Sequence, residues 1–118
     1  SDLKSDLALR LIDGGARLVA DDQTRLAKQG RAIVATVPRA LKSMIEVRGL
    51  GIVRLGRAQV IPSVTLWLLV DLVAADKIER MPDPQTETIL GVAIPRLALA
   101  PFEASAAAKL RIAMSHRR

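Results

Sequence analysis

The run from Ser63 to Ala75 is the feature that most constrains how this 118-residue chain can fold. Apart from Ser63, Thr65 and Asp71, it consists of aliphatic residues and one tryptophan. It is well short of the ~20 apolar residues that a membrane-spanning helix needs. Continuously apolar runs rich in valine and leucine are typical of strands that are buried on both faces. The run therefore predicts a buried strand over Ser63–Ala75.

Composition narrows the classes of protein and of site that remain. Half of the residues are apolar and 25% are charged, which is typical of a folded domain. The chain has no cysteine, which excludes disulfides, cysteine-ligated zinc and a thiol nucleophile, and its one histidine, His116, cannot form a histidine-rich metal site. Residues 1–6 lack the apolar stretch of a signal peptide. We expect a single cytoplasmic domain over residues 1–118.

The positive charge of the chain is concentrated at its C-terminal end. Eighteen basic and 12 acidic residues give a formal charge of +6. Residues 109–118 supply four of the basic residues and no acid, which leaves +2 for the rest. Because the only aromatic residues are Trp67 and Phe102, the chain is poorly equipped to stack on bases. A basic nucleic-acid-binding module therefore stays an alternative only, and we expect neither a nucleic-acid nor a membrane partner.

The remaining patterns predict an α/β chain with a strand-rich middle. Residues 5–14 form an amphipathic helix that Gly14 and Gly15 end, and residues 17–22 form a buried strand that ends in two acids. A turn at 28–31 joins two strands, an irregular segment runs from 38 to 44, and a strand with a glycine bend covers 45–53. Residues 79–88 are predicted as a loop, 89–99 as a strand interrupted by Pro95, and 103–115 as a helix with a basic end.

Lys4 and Ser5 stand directly before the first predicted helix. In phosphate-binding loops a lysine and a hydroxyl residue open a helix in this way, the lysine reaching phosphates and the hydroxyl binding magnesium. The glycines that let the backbone wrap a phosphate are missing ahead of them. Taken alone, the pair is better explained by an ordinary helix-capping serine than by a phosphate-binding loop.

Asp21 and Asp22 follow Arg17 and the apolar residues 18–20. Adjacent carboxylates at a strand end can hold magnesium or accept a proton from a hydroxyl. Paired aspartates are also common in turns, so both interpretations stay open.

Glu46, Arg48, Gly49 and Gly51 lie within six residues of one another. A carboxylate, a guanidinium and two permissive glycines suit a phosphate and metal site. An edge strand followed by a bulge, with Glu46 and Arg48 as solvated side chains, accounts for the same pattern.

Taken together, these stretches resemble the catalytic domain of HPr kinase/phosphorylase, in its short alphaproteobacterial form. The resemblance rests on Lys-Ser-Asp-Leu-Ala-Leu at 4–9, Arg-Leu-Val-Ala-Asp-Asp at 17–22 and Ile-Glu-Val-Arg-Gly-Leu-Gly-Ile at 45–52, with further similar stretches at 69–73, 79–82 and 95–105. It covers the chain from Lys4 to about Met114. It implies an α/β fold of the P-loop-containing kinase-like class, with a strand-rich middle and a C-terminal helix.

The resemblance also implies a bifunctional enzyme. It would use ATP with Mg²⁺ to phosphorylate a serine of the phosphocarrier HPr, and inorganic phosphate to remove that phosphate. Carried over to this sequence, Lys4 contacts nucleotide phosphates and Ser5 ligates magnesium. Asp22, with Asp21 beside it, takes the serine proton and donates one in reverse. The family further implies a homo-oligomer, a hexamer by analogy.

The same resemblance assigns the remaining site residues. Glu46 resembles the second magnesium ligand, and Arg80 resembles a catalytic arginine. The stretch containing Glu46, Arg48, Gly49 and Gly51 looks like the family signature. These roles suit phosphoryl transfer, in which serine needs a base and the transferring group needs cations around it.

The chain departs from the family pattern at its start. The strand before the phosphate loop, the loop glycines and an upstream histidine are absent from the 118 residues. We expect that the domain is N-terminally incomplete or lacks residues between Leu3 and Lys4. The alternative from a different class is a non-catalytic scaffold that kept the fold and lost the phosphate loop.

Overall fold

The computed structural model describes residues 2–116, which form two helices with eight strands between them. The helices are α1 (Asp2–Asp13) and α2 (Ala106–Ser115). The strands are β1 (Arg25–Gln29), β2 (Ala32–Thr36), β3 (Met44–Val47), β4 (Gly51–Arg54), β5 (Ser63–Thr65), β6 (Leu69–Leu72), β7 (Gln85–Ile89) and β8 (Val92–Leu99). The α/β class, the strand-rich middle and the C-terminal helix are confirmed.

The strands form three small sheets. One sheet has the order β1-β2-β5 and is antiparallel, and β3 and β4 form a separate hairpin. In the third sheet, of order β6-β8-β7, β8 pairs in parallel with β6 and antiparallel with β7. In residues 2–116, no helix has the length and apolarity to span a bilayer.

Helix α1 joins two parts of the core through two adjacent stripes of apolar side chains. Leu7 packs with Leu99 of β8 and Ala106 of α2, and Leu11 packs against the same cluster. Ile12 packs with Leu18 and with Ile45 of β3, which is almost completely buried. The four-residue spacing of Leu7–Leu11 and Ala8–Ile12 therefore predicts the contacts of α1 correctly. This packing holds the first turn of α1 beside the hairpin.

The predicted buried strand at residues 17–22 is wrong. Leu18 forms a single parallel bridge to Val60, and its N–H and carbonyl hydrogen-bond with Gln59 and Ile61. A strand needs a neighbour along its length, and this segment has one only at Leu18. Leu18 is buried by packing, whereas Val19 and Ala20 are only half-buried, and residues 19–22 pair with no strand.

The predicted single strand over Ser63–Ala75 divides into two strands with different partners. β5 pairs with β2, and Leu66 still donates a hydrogen bond to the carbonyl of Ile33. The chain then crosses to the third sheet, where β6 pairs with β8. Apolarity marks both halves equally, so the run did not reveal the change of sheet between Leu66 and Leu68.

The predicted loop at 79–88 is also wrong in its second half. β7 pairs with β8 through a tight turn at Leu90 and Gly91, both of which have positive φ (48° and 81°), as the common two-residue hairpin turns require. β8 continues through Pro95, which precedes the part of β8 that pairs with β6. The missing N–H of Pro95 therefore costs the parallel ladder nothing.

Candidate active site

The carboxylate of Asp21 connects the three stretches that the sequence singled out. The Ser5 hydroxyl donates a hydrogen bond to Asp21 Oδ1 over 2.9 Å. The backbone N–H of Glu46 donates one to Asp21 Oδ2, also over 2.9 Å. Residues 16 and 25 positions away along the chain thus meet at one side chain. The proximity of these stretches is a structural fact, whatever roles they have.

Helix α1 presents its positive end at this place. The helix begins at Asp2, three residues earlier than the sequence predicted, so Lys4 and Ser5 lie inside its first turns instead of directly before it. The first four N–H groups of a helix lack partners within the helix, and they carry the positive end of its dipole. Lys4 is exposed beside them and adds a full positive charge. Both features favour an anion at this end of α1.

Glu46 reaches the site because strand β3 alternates its faces. Ile45 points into the core, whereas Glu46 is exposed on the opposite face, as the two-residue period of a strand requires. Its backbone N–H faces Asp21, and its side chain lines a depression next to Ser5. The backbone N–H of Glu46 therefore holds the Asp21 carboxylate in place, and the Glu46 carboxylate remains available to bind a ligand in the depression.

The two glycines of the signature stretch shape the hairpin turn after Glu46. Leu50 donates a hydrogen bond to the carbonyl of Val47 over 2.9 Å, which closes a turn with Gly49 at its third position. Gly49 and Gly51 have φ values of 90° and 91°, a region that side chains with a Cβ rarely adopt. A Cβ at either glycine would have open space around it, so the backbone conformation is what requires glycine. The predicted bend is confirmed.

A small depression of about 90 Å³ lies between α1 and the hairpin. Its lining combines the hydroxyl of Ser5, two carboxylates and one guanidinium, from Ser5, Asp6, Leu9, Glu46, Val47 and Arg48. Pockets that enclose whole organic ligands have volumes of roughly 300–1,000 Å³. The depression is therefore of a size for an ion with its waters or one phosphate group, and it does not enclose a nucleotide.

The donor atoms at the site suit a hard cation. The Ser5 hydroxyl, the Asp21 carboxylate and the Glu46 carboxylate are all oxygen ligands, which Mg²⁺ prefers. Within the described residues, no cluster of three His, Cys, Asp or Glu side chains is arranged to hold a metal alone. Mg²⁺ is commonly held by one or two carboxylates together with water and substrate phosphates. The residues present therefore fit a magnesium ion that binds with a phosphate ligand.

Asp22 and Arg80, like Lys4 and Asp21, do not line the depression. Asp22 directly follows Asp21 and is exposed, so its carboxylate is open to a large substrate. Arg80 is exposed in the segment between β6 and β7 and does not line the depression. The structure thus brings together Ser5, Asp21 and Glu46, places Asp22 next to them, and does not bring Arg80 to them.

A charged cluster on the third sheet was not predicted from the sequence. Arg96 of β8 forms ion pairs with Asp71 of β6 (2.6 Å) and Glu87 of β7 (2.7 Å). The hydrogen bond from Arg96, and secondarily its charge, lower the pKa of Asp71 below its ordinary value of 3.8, although slight burial acts in the opposite direction. The sequence signal for this cluster was Asp71, the one charged residue in an apolar run. Its partners could not be identified, because they depend on the register in which the strands pair. This cluster joins three strands, and none of its residues lines the depression beside Ser5.

The chain matches known proteins over nearly its whole length. The family model for the HPr serine kinase C-terminal domain matches residues 3–113. The HPr kinase/phosphorylase of Limosilactobacillus reuteri (strain DSM 20016) is 35% identical over 107 residues, covering 81% of this chain and 33% of the relative. That of Bordetella pertussis (strain Tohama I) is 38% identical over 105 residues, covering 81% of this chain and 34% of the relative. The chain thus spans about a third of the length of these curated relatives.

A solved structure has the same fold. The structure of the Hpr(Ser) kinase/phosphatase from Coxiella burnetii superimposes with a TM-score of 0.78 and is 26% identical in sequence. The match covers 95% of this chain and 78% of that one. The arrangement of helices and strands described above is therefore shared with that structure.

Proposed function

Because the chain belongs to the HPr serine kinase C-terminal domain family, we propose that it transfers the γ-phosphoryl group of ATP to a serine of HPr and catalyses the removal of that phosphate by inorganic phosphate. In the forward direction the serine oxygen forms a bond to the γ-phosphorus, the bond to the departing ADP breaks, and the serine proton passes to a base. In reverse, an oxygen of inorganic phosphate attacks the phosphoserine, and the serine recovers a proton.

The observation that carries this proposal is the meeting of Ser5, Asp21 and Glu46. Phosphoryl transfer depends mainly on positioning and on charges that stabilise the transferring group. The hydroxyl and the two carboxylates can position a cation, and the positive end of the helix beside them can position phosphates. Together they supply the positioning and the charges that phosphoryl transfer needs. A structural turn alone would not require the hydroxyl of α1 and the N–H of β3 to meet at one carboxylate.

For the cation, we assign Ser5 and Glu46 as the residues that hold Mg²⁺, with Asp21 orienting both. When bound, the ion would neutralise phosphate charge in the transition state. The hydrogen bond from the Ser5 hydroxyl to Asp21 fixes the direction of the hydroxyl lone pairs. The hydrogen bond from the Glu46 backbone N–H to Asp21 fixes the position of β3, which carries the Glu46 carboxylate. Lys4 and the N–H groups of α1 bind phosphate oxygens.

Asp22 is the general base in this proposal. Its neighbour Asp21 is held by two hydrogen bonds, which fix the backbone that presents Asp22. The exposure of Asp22 suits a substrate that is itself a protein, because the serine of HPr must reach it from outside. A positioned carboxylate can accept the serine proton in the forward reaction and return one in reverse. Arg80 would stabilise phosphate charge if substrate binding brings its segment to the site.

We further propose that the protein works as a cytoplasmic homo-oligomer. Several large apolar side chains are strongly exposed in the described residues, among them Leu50, Ile52, Met81 and Phe102. Leu50 and Ile52 belong to the tip of the β3–β4 hairpin, so a subunit contact there would lie close to the candidate site. Light scattering on the purified protein tests this point, and a monomer at micromolar concentration would contradict it.

The decisive experiment detects phosphoserine on HPr. We expect that the protein, with ATP and Mg²⁺, adds one phosphate to HPr, and that HPr with alanine in place of its acceptor serine receives none. The Lys4→Ala variant should lose nucleotide affinity, measured by calorimetry, whereas Lys28→Ala, an exposed lysine of β1, should not. A protein that binds ATP but transfers nothing to HPr would identify the alternative, a scaffold or a kinase with another substrate. Equal affinity in both lysine variants would refute the phosphate role of Lys4.

A further inference from the structure

A second cleft, of about 400 Å³, lies at the opposite end of the β3–β4 hairpin from the candidate active site. Its floor is aliphatic and comes from separate segments of the chain, with Val19, Leu55, Val60 and Ile61 half-buried around it. The volume is within the range of roughly 300–1,000 Å³ that is typical of small-molecule sites. It is also several times larger than the depression at Ser5.

The charged residues of this cleft all have the same sign. Lys42 and Arg57 both line it, and none of its lining residues is acidic. Within residues 2–116 neither of them takes part in an ion pair, whereas Arg10, Arg96 and Lys109 each do. Two cations without a carboxylate next to an aliphatic floor are complementary to a molecule with an apolar body and a negative head.

The local backbone holds this arrangement in place. Ser43, next to Lys42, has a φ of 66°, a conformation that residues with a Cβ rarely adopt. Its carbonyl accepts a hydrogen bond from the N–H of Leu55 over 2.8 Å, which ties the segment before β3 to the segment after β4. Lys42 and Arg57 therefore project from segments that are fixed relative to each other.

We propose that this cleft binds an amphipathic carboxylate, with its aliphatic chain against Val19, Leu55 and Val60 and its carboxylate between Lys42 and Arg57. The carboxylate of the ligand gains charge-assisted hydrogen bonds, and the aliphatic part of the ligand is removed from water. Neither part suffices alone, because exposed ion pairs are weak in water and a short aliphatic chain has little area to bury. The site is separate from the proposed phosphoryl-transfer site, so it does not depend on that function.

Octanoate is the probe that tests this site, and binding is followed by amide chemical shifts of the labelled protein. We expect saturable shifts at Val19, Leu55 and Val60, with octanol and acetate each binding at least about tenfold more weakly. The double variant Lys42→Gln/Arg57→Gln should weaken octanoate binding by about tenfold, since it removes two ionic contacts. Both side chains are exposed, so the variant should fold.

The matched control is Lys28→Gln/Arg31→Gln, which removes the same charge from the β1–β2 hairpin. Arg31 lines a different apolar cleft, beside Trp67 and Met114, and therefore reports binding at that competing place. The proposal is overturned if octanol binds as tightly as octanoate, or if the control variant weakens octanoate as much as the Lys42/Arg57 variant. It is equally overturned if octanoate causes no saturable shifts at the cleft.

Discussion

The hydrogen bond between Ser5 and Asp21 predicts that these two residues stabilise the fold as a coupled pair. Ser5→Ala removes the donor to Asp21 Oδ1, and Asp21→Ala removes both that bond and the bond from the Glu46 N–H. A hydrogen bond to a charged group contributes about 1.5–3 kcal/mol when well buried. Since Ser5 and Asp21 are only half-buried, we take about 1 kcal/mol for each bond.

These values lead to a quantitative expectation for the double-mutant cycle. Ser5→Ala should cost about 1 kcal/mol and Asp21→Ala about 2 kcal/mol, because the second substitution breaks both bonds. The double variant should also cost about 2 kcal/mol instead of 3, since the shared bond can be lost only once. The expected coupling energy is thus about 1 kcal/mol. In a thermal melt, each kcal/mol corresponds to about 4 °C in Tm for a chain of this size.

Urea unfolding of the four proteins, followed by circular dichroism, measures this coupling. Asp22→Ala is the matched control, because Asp22 has the same chemistry at the next position but is exposed. It should change the free energy of unfolding by less than about 0.5 kcal/mol. Effects of Ser5→Ala and Asp21→Ala that add to within about 0.3 kcal/mol would refute the hydrogen bond as a stabilising contact. So would a loss at Asp22 as large as the loss at Asp21.

Three further predictions concern the hairpin, the third sheet and the metal. Gly49→Ala should lower the free energy of unfolding in urea by about 1–2 kcal/mol, because Gly49 has a left-handed φ. Gly56→Ala is the control and should lower it little, because Gly56 has a negative φ; equal losses would contradict this. Because Arg96 lowers the pKa of Asp71, the charged carboxylate stabilises the fold above the ordinary pKa of 3.8. The Tm advantage over Asp71→Asn should therefore shrink as the pH falls below that value, and a constant difference would contradict this. Glu46→Ala should keep the circular dichroism spectrum and lose activity most at low Mg²⁺; activity unchanged at every Mg²⁺ concentration would make Glu46 a solvated residue.

The local patterns of the sequence predicted the elements whose partners are close in the chain. The spacing of Leu7 and Leu11 gave the face of α1, and the glycines at 49 and 51 gave the hairpin bend. Both are decided by local backbone geometry or by helical period. The strand at Ala32–Thr36 and the turn before it follow the same rule.

Elements that depend on distant pairing could not be predicted in this way. Residues 18–20 are apolar enough for a strand, but only Leu18 forms a bridge to another segment, at Val60. The run after Ser63 changes sheets, and polar β7 is a strand because β8 pairs with it. Strand propensity describes how a residue fits a sheet and does not tell which sheet is available.

The sequence indicated which residues meet at the candidate site, but not how they contact one another. The resemblance indicated Ser5, Asp21 and Glu46, and the structure brings them together. It did not indicate that the backbone N–H of Glu46 hydrogen-bonds to the Asp21 carboxylate. That contact depends on how β3 packs on α1 through Ile45, which no local pattern reveals.

The measurement that tests the central claim most directly is the rate of phosphoryl transfer to HPr by the protein and by its Asp22→Asn variant. Asparagine keeps the size of the side chain but cannot accept the serine proton. We predict that ATP affinity stays within a few-fold while the transfer rate falls by ~10² or more, in both directions of the reaction. Transfer at the wild-type rate by the variant, or a loss confined to ATP binding, would contradict the assignment of Asp22 as the base.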